Sequence, residues 1–121
     1  MRTSWKLAII GVLAAMLVWG VVSTLYPGVE FDPGVWQADA ATGSGPRLRM
    51  ADRMIARRAL EGLSRTELIA KLGPPDSHIF PGYDIVYWLG PERGFVSIDS
   101  EWLAVQFGGD GRVTGARLVR D

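Results

Sequence analysis

The chain of 121 residues has no cysteine. That excludes disulfides, thiolate metal sites, thiol nucleophiles and a lipid attached through an N-terminal cysteine. It has a single histidine, His78, so no cluster of imidazole metal ligands can form. Net charge is absent too, with 13 basic and 13 acidic residues, which removes the overall basic footprint of a nucleic-acid binder. No cofactor, metal or small-molecule substrate is expected from these residues, and no nucleic-acid partner.

Charge is missing in a second sense, locally. Residues 7–26 form an unbroken apolar run preceded only by the cations Arg2 and Lys6. At about 1.5 Å of rise per residue this gives roughly 30 Å of helix, the hydrocarbon thickness of a bilayer. The first charges downstream are acidic (Glu30, Asp32, Asp39), and no Lys or Arg follows until Arg47. The positive-inside rule then places the N-terminus in the cytoplasm and the rest of the chain outside it. A cleaved secretory signal is the alternative, but its apolar core is shorter, about 7 to 15 residues, and the small-x-small triplet Ala38-Asp39-Ala40 lies far past the run. The expected organisation is an N-terminal transmembrane signal anchor at 1–26, a Pro/Gly-rich linker at 27–45 and one small domain at 46–121.

The remaining charge is unevenly spread. Residues 47–71 carry seven basic against three acidic side chains, and residues 76–121 carry four against seven. This predicts a basic helical layer and an acidic sheet layer. In the linker, Thr42-Gly43-Ser44-Gly45 reads as a flexible joint. Phe31 and Trp36 are costly to leave in water, so they are expected either on the domain or at the membrane interface.

A first helix is predicted from Arg47 to about Leu60, with Leu48, Ala51, Ile55 and Ala59 on one face and Arg49, Arg53 and Arg57 on a solvated one. Gly62 ends it. Ser64 and Glu67 form a capping box for a short second helix that stops at Gly73-Pro74-Pro75. Beyond the prolines the period changes to two. Tyr83, Ile85, Tyr87 and Leu89 alternate with Asp84, Val86 and Trp88, and Leu103, Val105 and Phe107 with Trp102, Ala104 and Gln106. Gly108-Gly109-Asp110-Gly111 then turns the chain into a third strand, 112–120. The expected fold class is α+β, a two-layer ααβββ domain with a three-stranded antiparallel sheet.

The motifs Leu60-Glu61-Gly62-Leu63-Ser64-Arg65-Thr66-Glu67, Leu72-Gly73-Pro74-Pro75, Tyr87-Trp88-Leu89-Gly90 and Leu103-Ala104-Val105-Gln106-Phe107 with its Gly/Asp turn resemble the SmpA/OmlA (BamE-like) domain family. The resemblance spans about residues 60–119. It implies the same helix-helix-strand-strand-strand unit and a place in the bacterial cell envelope, with envelope or outer-membrane protein assembly as the associated role. A related unit occurs in β-lactamase inhibitor proteins, where a sheet face grips another protein. The string from Gly90 through Phe95 to Ile98-Asp99-Ser100-Glu101-Trp102-Leu103, with Phe31-Asp32 and Trp36 upstream, is similar to an uncharacterised, membrane-anchored bacterial group. Family members that are lipoproteins carry a cysteine that this chain lacks, so an inner-membrane anchor takes the place of the lipid.

No residue set names a reaction. Asp76, Ser77 and His78 are adjacent, and a hydrolytic triad must converge from separate chain positions, so a turn explains them better. Asp99 and Glu101 read as loop and strand-start charges, and the glycines at 108, 109 and 111 as a hairpin, because no helix follows to hold a phosphate. Arg49, Arg53 and Arg57 read as a solvated face, partly neutralised by an Arg57 to Glu61 spacing, with contact to anionic lipid headgroups as the sharper option. Two short helices cover one sheet face only. The other would present Trp102, Ala104, Val86 and Trp88, either under the chain's own segment 31–36 or to a protein partner. The expected function is a non-catalytic, single-pass inner-membrane protein with a periplasmic interaction module. The alternatives are an inhibitor-like binder of a soluble periplasmic enzyme and, less favoured, a small hydrolase.

Overall fold

The computed structural model describes residues 4–94, 96 and 98–121, with side chains in the first helix described for 5–18 only. Arg2 of the charge-asymmetry argument and Phe95 of the Gly90 string lie outside the described residues. The order is α1 (Ser4–Leu25), α2 (Pro33–Ala38), α3 (Pro46–Ala56), α4 (Arg65–Leu72), β1 (Ile85–Pro91), β2 (Ser100–Phe107) and β3 (Val113–Arg120). The α+β class and the three-stranded antiparallel sheet are as expected.

In α1 the large apolar side chains stand in the open: Leu7, Ile10, Leu13 and Leu17 are all more than half exposed. Among the described residues no helix is long and apolar enough to cross a membrane. The expected span is thus not shown; within α1 the described side chains end at residue 18.

Segment 27–45 is not a loose linker, which corrects the expectation. Asp32 caps α2 by accepting from the Val35 amide, with Pro33 pre-set at the first helical position. The reason for folding is Trp36, which is fully buried. Its ring meets Tyr87 edge-on at 6.1 Å and Phe31 at 5.9 Å, and its Nε1 donates to the Leu72 carbonyl at 2.8 Å. An indole of this size removes so much apolar surface from water that it orders the segment holding it. Phe31 and Trp36 therefore pack on the domain.

The joint at 42–45 is ordered as well. Gly45 gives α3 no side-chain cap and Pro46 follows at once, so a carboxylate from upstream does that work. Buried Asp39 accepts from the Thr42 hydroxyl, the Ser44 amide and hydroxyl, and the Arg47 amide, at 2.7–3.0 Å.

Helix α3 buries Leu48 and Ala51 as expected, but also Met50 and Met54. It ends at Ala56, short of Leu60. The Arg58 amide donates to Ile55 O and the Ala59 amide to Met54 O, the bond pattern of a Schellman ending. Arg58 takes the left-handed position with φ 53°, where a non-glycine residue costs about 1 kcal/mol or more. Ala59 therefore leaves the core face and is exposed, while Leu60 turns inward and is buried.

Helix α4 has the expected reciprocal capping box between Ser64 and Glu67, and Gly73 ends it with φ 86°. Its Leu68 and Leu72 close one core with Ile85, Tyr87, Leu89, Leu103 and Val105 from the inner sheet face. The sheet order is β1-β2-β3, with Val86 opposite Ala104 and Trp88 opposite Trp102. The β2–β3 hairpin closes through Gly108 and Arg112.

Candidate functional site

The outer sheet face is where sequence reasoning placed a contact surface. Val86 and Ala104 are buried, at 1 % and 0 % exposure, so they cannot meet a partner directly. Trp88 and Trp102 are half-buried. The cover comes from the chain itself, though not from segment 31–36, which packs on the opposite side of the sheet. It is the strap between α4 and β1.

The strap is pinned at three points. The Asp76 amide donates to Val86 O while its carboxylate accepts from the Trp88 amide at 2.7 Å; Asp84 accepts from the Phe107 amide; and Gln106 donates to Gly82 O. Between these points His78 lies parallel to Trp102 at 4.7 Å and 15°, and Phe80 meets Trp102 edge-on at 5.9 Å. The histidine stacks on this indole. Trp88 is capped differently, because Gly43 lies against its indole and any Cβ there would collide with the ring.

What the strap leaves in water is aliphatic. Ile79, between the two residues that stack on Trp102, is 81 % exposed, and Ile98, on the connection leading into β2, is 82 % exposed, with Val96 beside it in sequence also open. The buried indole Nε1 of Trp102 has no hydrogen-bond partner among the described residues. Sequence periodicity could not find Ile79 or Ile98, because both lie in loops where no repeat operates. Their only signal was two β-branched apolar residues flanked by polar or turn residues.

The arginine stripe is split. Arg49 and Arg57 are exposed, but Arg53 is buried and is removed from any headgroup surface. Its guanidinium donates to the carbonyls of Tyr26, Pro27 and Gly28, at 2.9–3.2 Å, just beyond the end of α1. Carbonyls past a helix C-terminus lack intrahelical donors and carry partial negative charge, so a buried cation is favoured there. Arg57 pairs with Glu30 at 3.4 Å and lies 5.6 Å from the Tyr26 ring. Among the described residues the expected Arg57–Glu61 pairing does not form, since α3 ends before it. Arg47, missed as a core residue, is buried over the Trp36 ring at 4.3 Å and donates to Trp36 O and Trp88 O. Burial lowers its pKa, opposed by the Asp76 and Asp39 charges.

Glu101 is the other hidden charge. It is 1 % exposed on the inner face, and Arg93 and Arg120 reach its two oxygens at 3.1 and 2.9 Å. Arg93 also holds Asp52 on α3, and that bond raises the Arg93 pKa. Asp99 stays exposed and does not join Glu101. Burial pushes the Tyr87 hydroxyl up to about 12, and it donates to Gly73 O. Among the described residues no group of three or more potential metal ligands converges.

These features define a small α+β domain, attached through an arginine clamp to an apolar helix, with a strapped aromatic face on its sheet. Compared with protein-family models, with curated proteins and with solved structures, the chain matches none.

Proposed function

We propose that the chain is a single-pass membrane protein of the bacterial envelope, with a cytoplasmic N-terminus and a BamE-like domain outside the cytoplasm that binds another envelope protein without catalysis. The full apolar run at 7–26, uninterrupted by charge, matches a bilayer in length. The large apolar side chains described in α1 are mostly exposed and suit lipid. Arg53 gives the anchor a firm seat, since three carbonyls after the helix are tied to one buried side chain.

The observation that carries the contact role is the exposure of Ile79, between the two residues that stack on Trp102, and of Ile98, on the connection into β2. Large aliphatic side chains that open to water contribute nothing to folding, while a small central group of them suits an interface. The test is site-specific photocrosslinking in cells from position 79 or 98. One discrete adduct is expected, lost in Ile98→Asp with the near-ultraviolet spectrum of the domain unchanged. Absence of any discrete adduct from both positions overturns the reading.

A further inference from the structure

The two edges of the sheet differ. On the β1 side, Asp76 bridges to Val86 and takes the Trp88 amide on its carboxylate, so that edge is blocked. On the β3 side only the first residue is covered: Val113 exchanges bonds with Gly62 and Leu63. From Ala116 onward the edge is open. The Asp121 amide donates to Ser100 O, and in an antiparallel ladder bonding alternates along the strand. Val119 and Arg117 therefore face β2, and Ala116, Leu118 and Arg120 direct their amides and carbonyls outward. Among the described residues nothing outside the strand binds those groups.

Beside this edge runs a groove between α3 and β3. It consists of two adjoining cavities of about 550 and 410 Å³ that share Ile55 and Arg117. Leu118 lines the first and Arg58, Thr114 and Ala116 line the second. Arg117 and Arg58 make no ion pair among the described residues, and the acids that line the two cavities are Asp52, which holds Arg93, and Glu61. Arg58 occupies a backbone position where glycine would sit without strain. A cation held at such a position, facing a groove with a second uncommitted cation, suits a ligand that brings negative charge.

We propose that the open β3 edge docks an extended acidic peptide segment of a partner protein as a fourth strand, its carboxylates meeting Arg117 and Arg58. Backbone bonds to Ala116, Leu118 and Arg120 supply affinity, and the arginines select for acids. A second copy of this chain is a poor occupant, because β3 carries two arginines and no acid to offer its twin. The proposal rests on the open backbone edge of β3 and not on Ile79, Ile98 or membrane insertion, so its failure would leave the preceding proposal standing.

The test uses the full chain in mild detergent and a synthetic peptide of about ten residues alternating Val and Glu. Amide hydrogen exchange at Ala116, Leu118 and Arg120 is expected to slow about tenfold at saturation. Binding should weaken at least about tenfold for Arg117→Glu. It should vanish for a peptide N-methylated at every second amide. Unchanged exchange, equal binding of a Val/Lys peptide, or full binding of the methylated one overturns the proposal. So does protection that grows with protein concentration alone, which would make the occupant a second copy.

Discussion

Replacing Asp39 by Asn tests whether a single buried carboxylate organises the lead-in segment. Burial alone would raise its pKa, but bonds from the Arg47 amide, the Ser44 hydroxyl and amide and the Thr42 hydroxyl outweigh it and hold the value at about 2, against 3.8 for a free side chain. At about 1.4 kcal/mol per unit, that depression corresponds to about 2 kcal/mol of stability. The structure supports the same size from another direction. The variant amide keeps an oxygen for Thr42 and Ser44 but presents its NH2 to the Arg47 amide, donor against donor, and loses a charge-assisted bond worth about 2 kcal/mol. Because the folded pKa is depressed, the contribution is complete above pH 4 and is lost as pH falls from about 4 to about 2. Urea unfolding followed by tryptophan fluorescence, in the same detergent for both chains, is the assay. At pH 7 the variant should lie about 2 kcal/mol below wild type, melting roughly 10 °C lower. The gap should narrow by most of that amount near pH 2. Equal stability at pH 7, or a gap independent of pH, refutes the assignment.

The Glu101 carboxylate is buried while its partners Arg93 and Arg120 are about half exposed, so Glu101→Gln should cost about 2 kcal/mol, less than a fully enclosed ion pair would lose. A double-mutant cycle with Arg93→Ala that gives no coupling would remove the pair from the account. Arg58→Gly should stabilise the fold by about 1 kcal/mol in thermal unfolding, since glycine adopts φ 53° without steric cost. A destabilised variant would mean that the side chain, and not the backbone, matters to folding there.

The sheet and α4 were legible because each rests on a local rule. Alternation set the inner face of β1 and β2, Ser64 and Glu67 set the start of α4, and the glycine-rich tetrad set the β2–β3 turn. The lead-in was not legible, because its order comes from contacts distant in sequence: Trp36 to Leu72, and Arg53 to the carbonyls of 26–28. Composition rich in Pro, Gly and Ala suggested looseness, and one buried indole outweighed it. The arginine stripe failed for a related reason. Helical spacing shows which residues share a face, but not that the chain returns to cover Arg53. The proposed contact surface was legible only at Trp102. Its exposed members, Ile79 and Ile98, lie in loops that carry no period.

The location proposed for the chain, and with it the choice of an envelope protein as partner, rests on the passage of residues 7–26 through a bilayer, with the domain on the far side. Paired reporters fused after Asp121, one active only outside the cytoplasm and one only inside, decide it most directly when read together with alkaline extraction of the membranes. The account predicts activity of the outside reporter alone and retention of the chain in the extracted membrane pellet. Activity of the inside reporter, or release of the intact chain into the soluble fraction, would contradict it.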